Sequence, residues 1–363
     1  MNKPSNTHIP QLRLIAWELT KSCVLSCKHC RASAVKEKYA NELSTSECKA
    51  VIDSIASNSK CIIILTGGEP MLRDDIYQLA RYGTDKGLRM VMATCGTLLN
   101  KENCLSLIDA GIARISVSID GSSESTHDSF RGVPGAFQAL MKGIEVARIT
   151  GLEFQVNTTI TKSNLAELPD IYNLAVKLGA VSFHPFLLVP TGRAEELLDE
   201  MISPTQYEQT LNWIYERQLS SEITVKPTCA PHYYRIFRER EKAAGRTVSR
   251  ETHGLDAMTK GCLGGQGFAF ISNTNKIQIC GFLEKEAGDL RVYDYDFQKI
   301  WENSTLFQEI RAVDQYHGKC GYCEYRRICG GCRARAFAIS GDYLGEETQC
   351  LYQPSKRTEP VKI

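Results

Sequence analysis

From Leu12 to about Leu188 the chain alternates short apolar, β-branched runs with longer stretches whose apolar residues recur at helical spacing. That alternation is the pattern of parallel strands joined by crossover helices. Strands are predicted near 12–18, 61–66, 88–93, 115–119, 153–160 and 181–188, with helices between them that include 44–57, 101–110, 135–150 and 165–178. Ser44 stands three residues before Glu47, and Asn164 three before Glu167, both at the spacing of a helix-starting capping box. Six such βα units predict an α/β fold built on a partial (βα)6 barrel, which carries its chemistry at the C-terminal ends of the strands. Beyond it the pattern predicts a helix over 204–218, a short strand over 222–226 and a charged helix over 233–244. A hairpin follows, 268–271 with 276–279 around Ser-Asn-Thr-Asn, and then a helix over 297–313.

The 363 residues suffice for a large domain and a smaller one. Hydrophobic residues make up 43% and the formal net charge is +1, so neither disorder nor a nucleic-acid partner is expected. No apolar run reaches the roughly 18 residues of a membrane span, and the polar start has no signal-like apolar core. A cytoplasmic protein is expected. Its fifteen cysteines then point to metal clusters rather than disulfides, because the cytosol keeps thiols reduced.

The cysteines fall in two fields. Directly after the first strand, Cys23, Cys27 and Cys30 stand at C-x3-C-x2-C spacing, enough for three corners of a [4Fe–4S] cube. The fourth iron would have no cysteine and would be a Lewis-acidic site open to a small molecule. A zinc knuckle completed by His29 is the competing reading. The second strand runs into Gly67-Gly68-Glu69-Pro70, where two glycines allow close backbone approach to a ligand and Glu69 can accept from an ammonium group. Within one stretch of about ninety residues lie Cys262, Cys280, Cys320, Cys323, Cys329, Cys332 and Cys350, with a compact C-x2-C-x5-C-x2-C core that suits zinc or iron–sulfur.

The three-cysteine spacing, with Gly-Gly-Glu on the next strand, resembles the radical S-adenosylmethionine (SAM) enzymes. The resemblance implies a cluster held by Cys23, Cys27 and Cys30 with SAM chelating the open iron, and SAM cleavage to a 5′-deoxyadenosyl radical. By the same resemblance Gly67, Gly68 and Glu69 would meet the SAM amino group. Ser116, Ser118 and Asn157 would face its ribose, carboxylate or methionine part. Cys95 occupies a position where the family usually has Asn. Arg131, in a loop, and His184 and Arg193, near the substrate mouth, are candidate catalytic or binding residues.

The C-terminal field resembles the SPASM extension, which implies a SPASM-like domain over 259–363, a connecting segment over 201–258 and a barrel over 1–200. Mapped by position, Cys320, Cys323, Cys329 and Cys350 would hold an auxiliary [4Fe–4S] cluster. Cys262, Cys280 and Cys332 would supply three ligands to another, doubtful or left with an open iron. The stretches Leu12–Ala32, Gly261–Gly267 and Gly330–Leu344 resemble the heme b synthases of the siroheme-dependent pathway. That implies oxidative decarboxylation of two propionates of Fe-coproporphyrin III, or action on a related tetrapyrrole, with electrons from a donor such as ferredoxin or flavodoxin. Arg31, Arg131, Arg193, Arg333 and Arg335 are candidate partners for the substrate carboxylates. The basic residues Arg235, Arg238, Arg240, Lys242, Arg246 and Arg250 read as a solvated helix face or as a guide for an anionic substrate. A peptide maturase is the alternative within the family, although only about eleven residues precede the first strand. A zinc-filled, non-catalytic scaffold is the alternative outside it.

Overall fold

A computed structural model describes residues 9–253 and 259–355. The polar start, the end of the expected connecting segment (254–258) and residues 356–363 lie outside the described residues. The six expected strands are present, each shorter by a residue or two: β1 (Leu14–Glu18), β2 (Ile62–Thr66), β3 (Arg89–Ala93), β4 (Ile115–Ser118), β5 (Phe154–Ile160) and β6 (Ser182–Leu187). Between and after them run α1 (Thr45–Asn58), α2 (Ile76–Asp85), α3 (Lys101–Asp109), α4 (Glu124–Arg131), α5 (Ala136–Thr150), α6 (Leu168–Leu178), α7 (Pro204–Ser220) and α8 (Tyr233–Ala243). Strands β7 (Thr224–Val225), β8 (Phe268–Ile271), β9 (Lys276–Cys280) and β10 (Leu283–Asp289) complete one ten-stranded sheet in the order β10-β9-β8-β1-β2-β3-β4-β5-β6-β7.

From β8 to β7 every neighbouring pair in that order is parallel, while β8–β9 and β9–β10 are antiparallel. The C-terminal hairpin thus extends the barrel sheet by pairing Leu14–Trp17 with Phe268–Ile271, and it continues into a third strand, β10, that the sequence pattern did not show. Strand alternation gives the sheet two unlike faces. One carries Ile15, Trp17, Ile63, Leu65, Met90, Met92, Val117 and Val156, all buried under the crossover helices. The other carries Ile64, Val91, Ser116, Ser118, Gln155, Asn157 and His184, which are half-exposed and form the open inner face.

Local chemistry starts and stops the helices. Ser44 Oγ accepts from Glu47 N and the Glu47 carboxylate accepts from Ser44 N, so α1 begins with the expected capping box. The Asn164 box does not form. Asn164 is buried, its Oδ1 accepts from Thr161 N and its Nδ2 donates to Asp120 O and Thr159 O, so the side chain ties strand ends together instead of capping. The helix expected over 297–313 is two, Phe297–Asn303 and Thr305–Arg311, because Ser304 between them has extended backbone (φ −61°, ψ 126°). The loop expected around Arg131 is α4, which ends at Gly132 in the left-handed region (φ 71°). Among the described residues no helix is long and apolar enough to cross a membrane.

Candidate active site

Beyond β1 the chain enters the three-cysteine loop, and each of its sulfurs accepts one N–H. Leu25 N donates to Cys23 Sγ (3.4 Å), Ala34 N to Cys30 Sγ (3.4 Å), and Arg131 Nη1 to Cys27 Sγ (3.5 Å). Donors aimed at sulfur favour the thiolate, the form that binds metal. The three cysteines pack in one group with Leu25, Ala34 and Ala136, and Cys95 and Val133 lie against it. Burial pushes the free Cys23 thiol up to about 12, with the neighbouring Glu69, Cys27 and Cys30 adding to the rise. A bound metal reverses that preference, because a coordinating thiol is deprotonated outright. His29, the nominal zinc ligand, instead stacks on Phe130 at a centroid distance of 4.3 Å. Among the described residues no three His, Cys, Asp or Glu side chains converge on a single-ion site.

Two arginines brace this loop. Arg193 donates through Nε to Cys27 O (2.9 Å), through Nη1 to Ala34 O (2.8 Å) and through its backbone N to Cys30 O (3.1 Å), while its Nη2 is buried without a partner. Arg131 pairs with the fully buried Asp120 as well as reaching Cys27. Desolvation pulls the Asp120 carboxyl up and the Arg131 charge opposes it. Arg31 pairs with Glu18, donates to Gly281 O and lies over the Phe270 ring, which joins the loop to the C-terminal hairpin.

The glycines of Gly67-Gly68 answer to the chain itself. A Cβ on Gly67 would lie 2.4 Å from Thr20 O and one on Gly68 2.2 Å from Ser22 O. Gly68 N donates to Thr20 O and Glu69 N to Ser22 O, both at 2.7 Å. The two glycines thus let this segment pack directly on the backbone leading into the cysteine loop. The Glu69 carboxylate, fully buried, accepts from Met71 N, Thr94 Oγ1 and Cys95 N.

On the open face, parallel register sets Ser116 beside Gln155, Ser118 beside Asn157 and Asn157 beside His184. Gln155 Nε2 donates to Asn157 Oδ1 (3.0 Å) and lies 3.4 Å from His184 Nδ1. Burial, with the Lys226 and Arg114 charges, brings His184 down to about 3, so it is a neutral imidazole at pH 7.

In the C-terminal field, Cys320, Cys323, Cys329 and Cys350 line one cavity, whose wall includes Arg235, Lys319, Arg326 and His232. Cationic walls suit a cluster with four thiolates. Arg333 is buried, with Nη1 on Gly345 O (2.6 Å), Nη2 on Cys320 Sγ (3.7 Å) and its plane over Tyr316. Arg335, also buried, pairs with Glu347 at 3.0 Å and donates to Leu187 O, Leu188 O and Cys229 O. All five arginines considered for substrate carboxylates thus face protein acceptors. The basic cluster after β7 is largely neutralised: Arg235 pairs with Glu208 and Glu239, Arg240 with Glu216, and Arg246 with Glu241.

Residues 17–175 match the Radical SAM superfamily. The chain is 52% identical to an AdoMet-dependent heme synthase of Methanosarcina barkeri, over 95% of this chain and 98% of the relative. It belongs to that radical SAM family. An Fe-coproporphyrin III synthase of Methanosarcina barkeri is 31% identical over 93% of this chain and 87% of its own length. Streptococcus suis SuiB bound to precursor peptide SuiA shares the fold, with a TM-score of 0.75 and 16% identity over 94% of this chain and 76% of that one.

Membership makes the protein a radical SAM enzyme, which uses a [4Fe–4S] cluster and SAM, and it removes the zinc-scaffold reading. Auxiliary clusters are typical of relatives with a SPASM-like extension. The residues present fit the cofactors: three sulfurs with N–H donors and no fourth cysteine ligand in the loop, and a separate cavity walled by four more thiols. Sequence reading missed Asp120, whose partner Arg131 was assigned to a loop, and Glu347, which accepts from Cys332 N (2.9 Å) and Arg335 Nη1. It also left Cys229 out of both cysteine fields. A carboxylate directly after a strand of small hydroxyl residues was the available signal for Asp120.

Proposed function

We propose that this protein forms heme b from Fe-coproporphyrin III by oxidatively decarboxylating two propionates to vinyl groups. The observation that carries the reading is the three-thiol loop at the C-terminal end of β1, beside a half-open polar sheet face, in a chain that matches a heme synthase along its length. Cys23, Cys27 and Cys30 hold the SAM cluster in this reading. The segment Gly67–Glu69 and the face bearing Ser116, Ser118 and Asn157 bound the SAM site. Cys320, Cys323, Cys329 and Cys350 hold an auxiliary cluster, and Cys262, Cys280 and Cys332 contribute to a second. The barrel spans 1–200, the connection 201–258 and the SPASM-like part 259–363.

When bound, the cluster and SAM supply a radical able to take a hydrogen atom from an unactivated carbon. Each propionate gives up one β-hydrogen atom, one CO2 and one electron to become a vinyl group, so an electron acceptor is required, and the second cysteine field is where the chain offers one. The protein's own residues keep the cluster loop rigid: Arg193 grips its carbonyls and Arg131 its Cys27 sulfur. The reductant is a cytoplasmic protein of the ferredoxin or flavodoxin kind.

The test is anaerobic incubation of reconstituted protein with SAM, dithionite and Fe-coproporphyrin III, followed by mass spectrometry. Two successive losses of CO2 and two hydrogens (one atom, one proton with the electron), each matched by 5′-deoxyadenosine, are expected. Deoxyadenosine with unchanged porphyrin overturns this substrate and leaves the radical SAM assignment in place.

A further inference from the structure

The trio Cys262, Cys280 and Cys332 leaves one corner of a four-iron cube without a cysteine, and the loop after β7 brings a thiol to it. Thr228 pairs with the end of β6, donating to Pro185 O (2.8 Å) and accepting from Leu187 N (3.1 Å), which fixes the backbone leading into Cys229. Arg335 fixes it there. The Arg335 Nη2 donates to Cys229 O (2.9 Å) while the Arg335 backbone N donates to Cys332 Sγ (3.4 Å), so one residue holds both cysteines. From the other side, a Cβ on Gly261 would lie 2.6 Å from Pro231 Cβ and 2.5 Å from Cys329 O, which presses the backbone beside Cys262 against the same loop.

Two further observations mark Cys229 as more than packing. Its backbone is left-handed (φ 55°), a conformation that strains a non-glycine residue and persists where the surroundings over-determine it. Its sulfur also lies within electrostatic reach of Cys332, Cys280 and Cys262, the trio that lacks a fourth member.

We propose that Cys229 is the fourth thiolate of the second auxiliary cluster, held with Cys262, Cys280 and Cys332. The proposal rests on the reading that the trio holds a cluster. Its consequence is functional: with four thiolates this cluster has no iron open to substrate and serves electron transfer, so the SAM cluster is the one with an exchangeable iron site.

The experiment compares full-length Cys229→Ala, Cys229→Ser and Cys280→Ala, reconstituted anaerobically, by iron and sulfide content and by EPR of the reduced proteins. The unchanged chain is expected to hold about twelve irons, four for each of three clusters. Cys229→Ala should alter or abolish the EPR signal that Cys280→Ala abolishes, and lose up to about a third of the iron, while the SAM-cluster signal keeps its response to added SAM. Cys229→Ser, with an oxygen able to ligate, should retain more iron than Cys229→Ala and show a shifted signal, which a packing thiol would not produce. Unaltered iron, sulfide and EPR in Cys229→Ala, where Cys280→Ala loses its cluster, overturns the proposal and leaves the trio reading standing. If Cys280→Ala is equally silent, the trio holds no cluster and the proposal falls with it.

Discussion

Arg131, on the last turn of α4, and Cys27, on the loop after β1, meet at 3.5 Å, with Arg131 Nη1 donating to the sulfur. The same guanidinium pairs with Asp120, whose other carboxylate oxygen accepts from Thr159 N (2.7 Å), so the three-cysteine loop is wired through one arginine to the ends of β4 and β5. Removing one partner of a buried pair leaves an uncompensated charge and costs about 3–5 kcal/mol. Arg131→Met is therefore expected to lower stability by that amount and to weaken retention of the first cluster. Urea unfolding and iron content after desalting check this, and the double variant Arg131→Met/Asp120→Asn should recover part of the loss. Equal stability of Arg131→Met and the unchanged protein would remove the pair from the account.

Gly68→Ala tests the contact between the Gly-Gly-Glu segment and the cysteine loop. The added Cβ would sit 2.2 Å from Ser22 O and 2.7 Å from Ser22 C, both backbone, so no side chain can swing away to make room. The loop must shift, along with the Glu69 N to Ser22 O bond. The expected outcome is a reconstituted protein short of about one cluster's worth of iron, four atoms, with SAM binding by equilibrium dialysis weakened at least tenfold. Normal iron content and SAM binding would mean that the loop tolerates the shift.

Much of this arrangement was legible because β-strands write their faces in alternation: Phe154–Ile160 reads buried, half-exposed, buried throughout. Contacts between distant backbones were not. That Gly67 and Gly68 also pack against the Thr20–Ser22 backbone could not be read from their motif. Helix α4 escaped notice because Glu124–Arg131 is mostly polar and buries only His127, Phe130 and Arg131, too few to set a period. Ser44 and Asn164 carry the same spacing signal, yet Asn164 found three backbone partners across strand ends and left the cap. Cys229 belongs to no short motif, and only the fold brings it to the C-terminal cysteines.

The Arg335–Glu347 pair, with both side chains fully buried, joins the end of β6 to the C-terminal extension. Arg335→Lys keeps the charge but cannot reach Leu187 O, Leu188 O, Cys229 O and Glu347 together, because a lysine is a single point donor on a flexible stem. We expect loss of auxiliary-cluster iron with the SAM-cluster EPR signal retained. Loss of all clusters alike would instead indicate that the barrel depends on this joint for folding.

Acid should destabilise the protein through its buried histidines. Burial, reinforced by nearby arginine charges, brings His127 down to about 3 and His232 to about 4, whereas an unfolded histidine titrates near 6.5. Between those limits the unfolded chain binds more protons than the folded one, so stability rises with pH there and falls as pH drops below about 6.5. Each histidine contributes a slope of up to about 1.4 kcal/mol per pH unit, present until the pH reaches its folded value. Anaerobic urea midpoints measured from pH 7.5 to 5 should decline, and His232→Gln should make the decline shallower. A midpoint flat across that range in the unchanged protein would mean that these rings open to solvent and take up protons in the folded state.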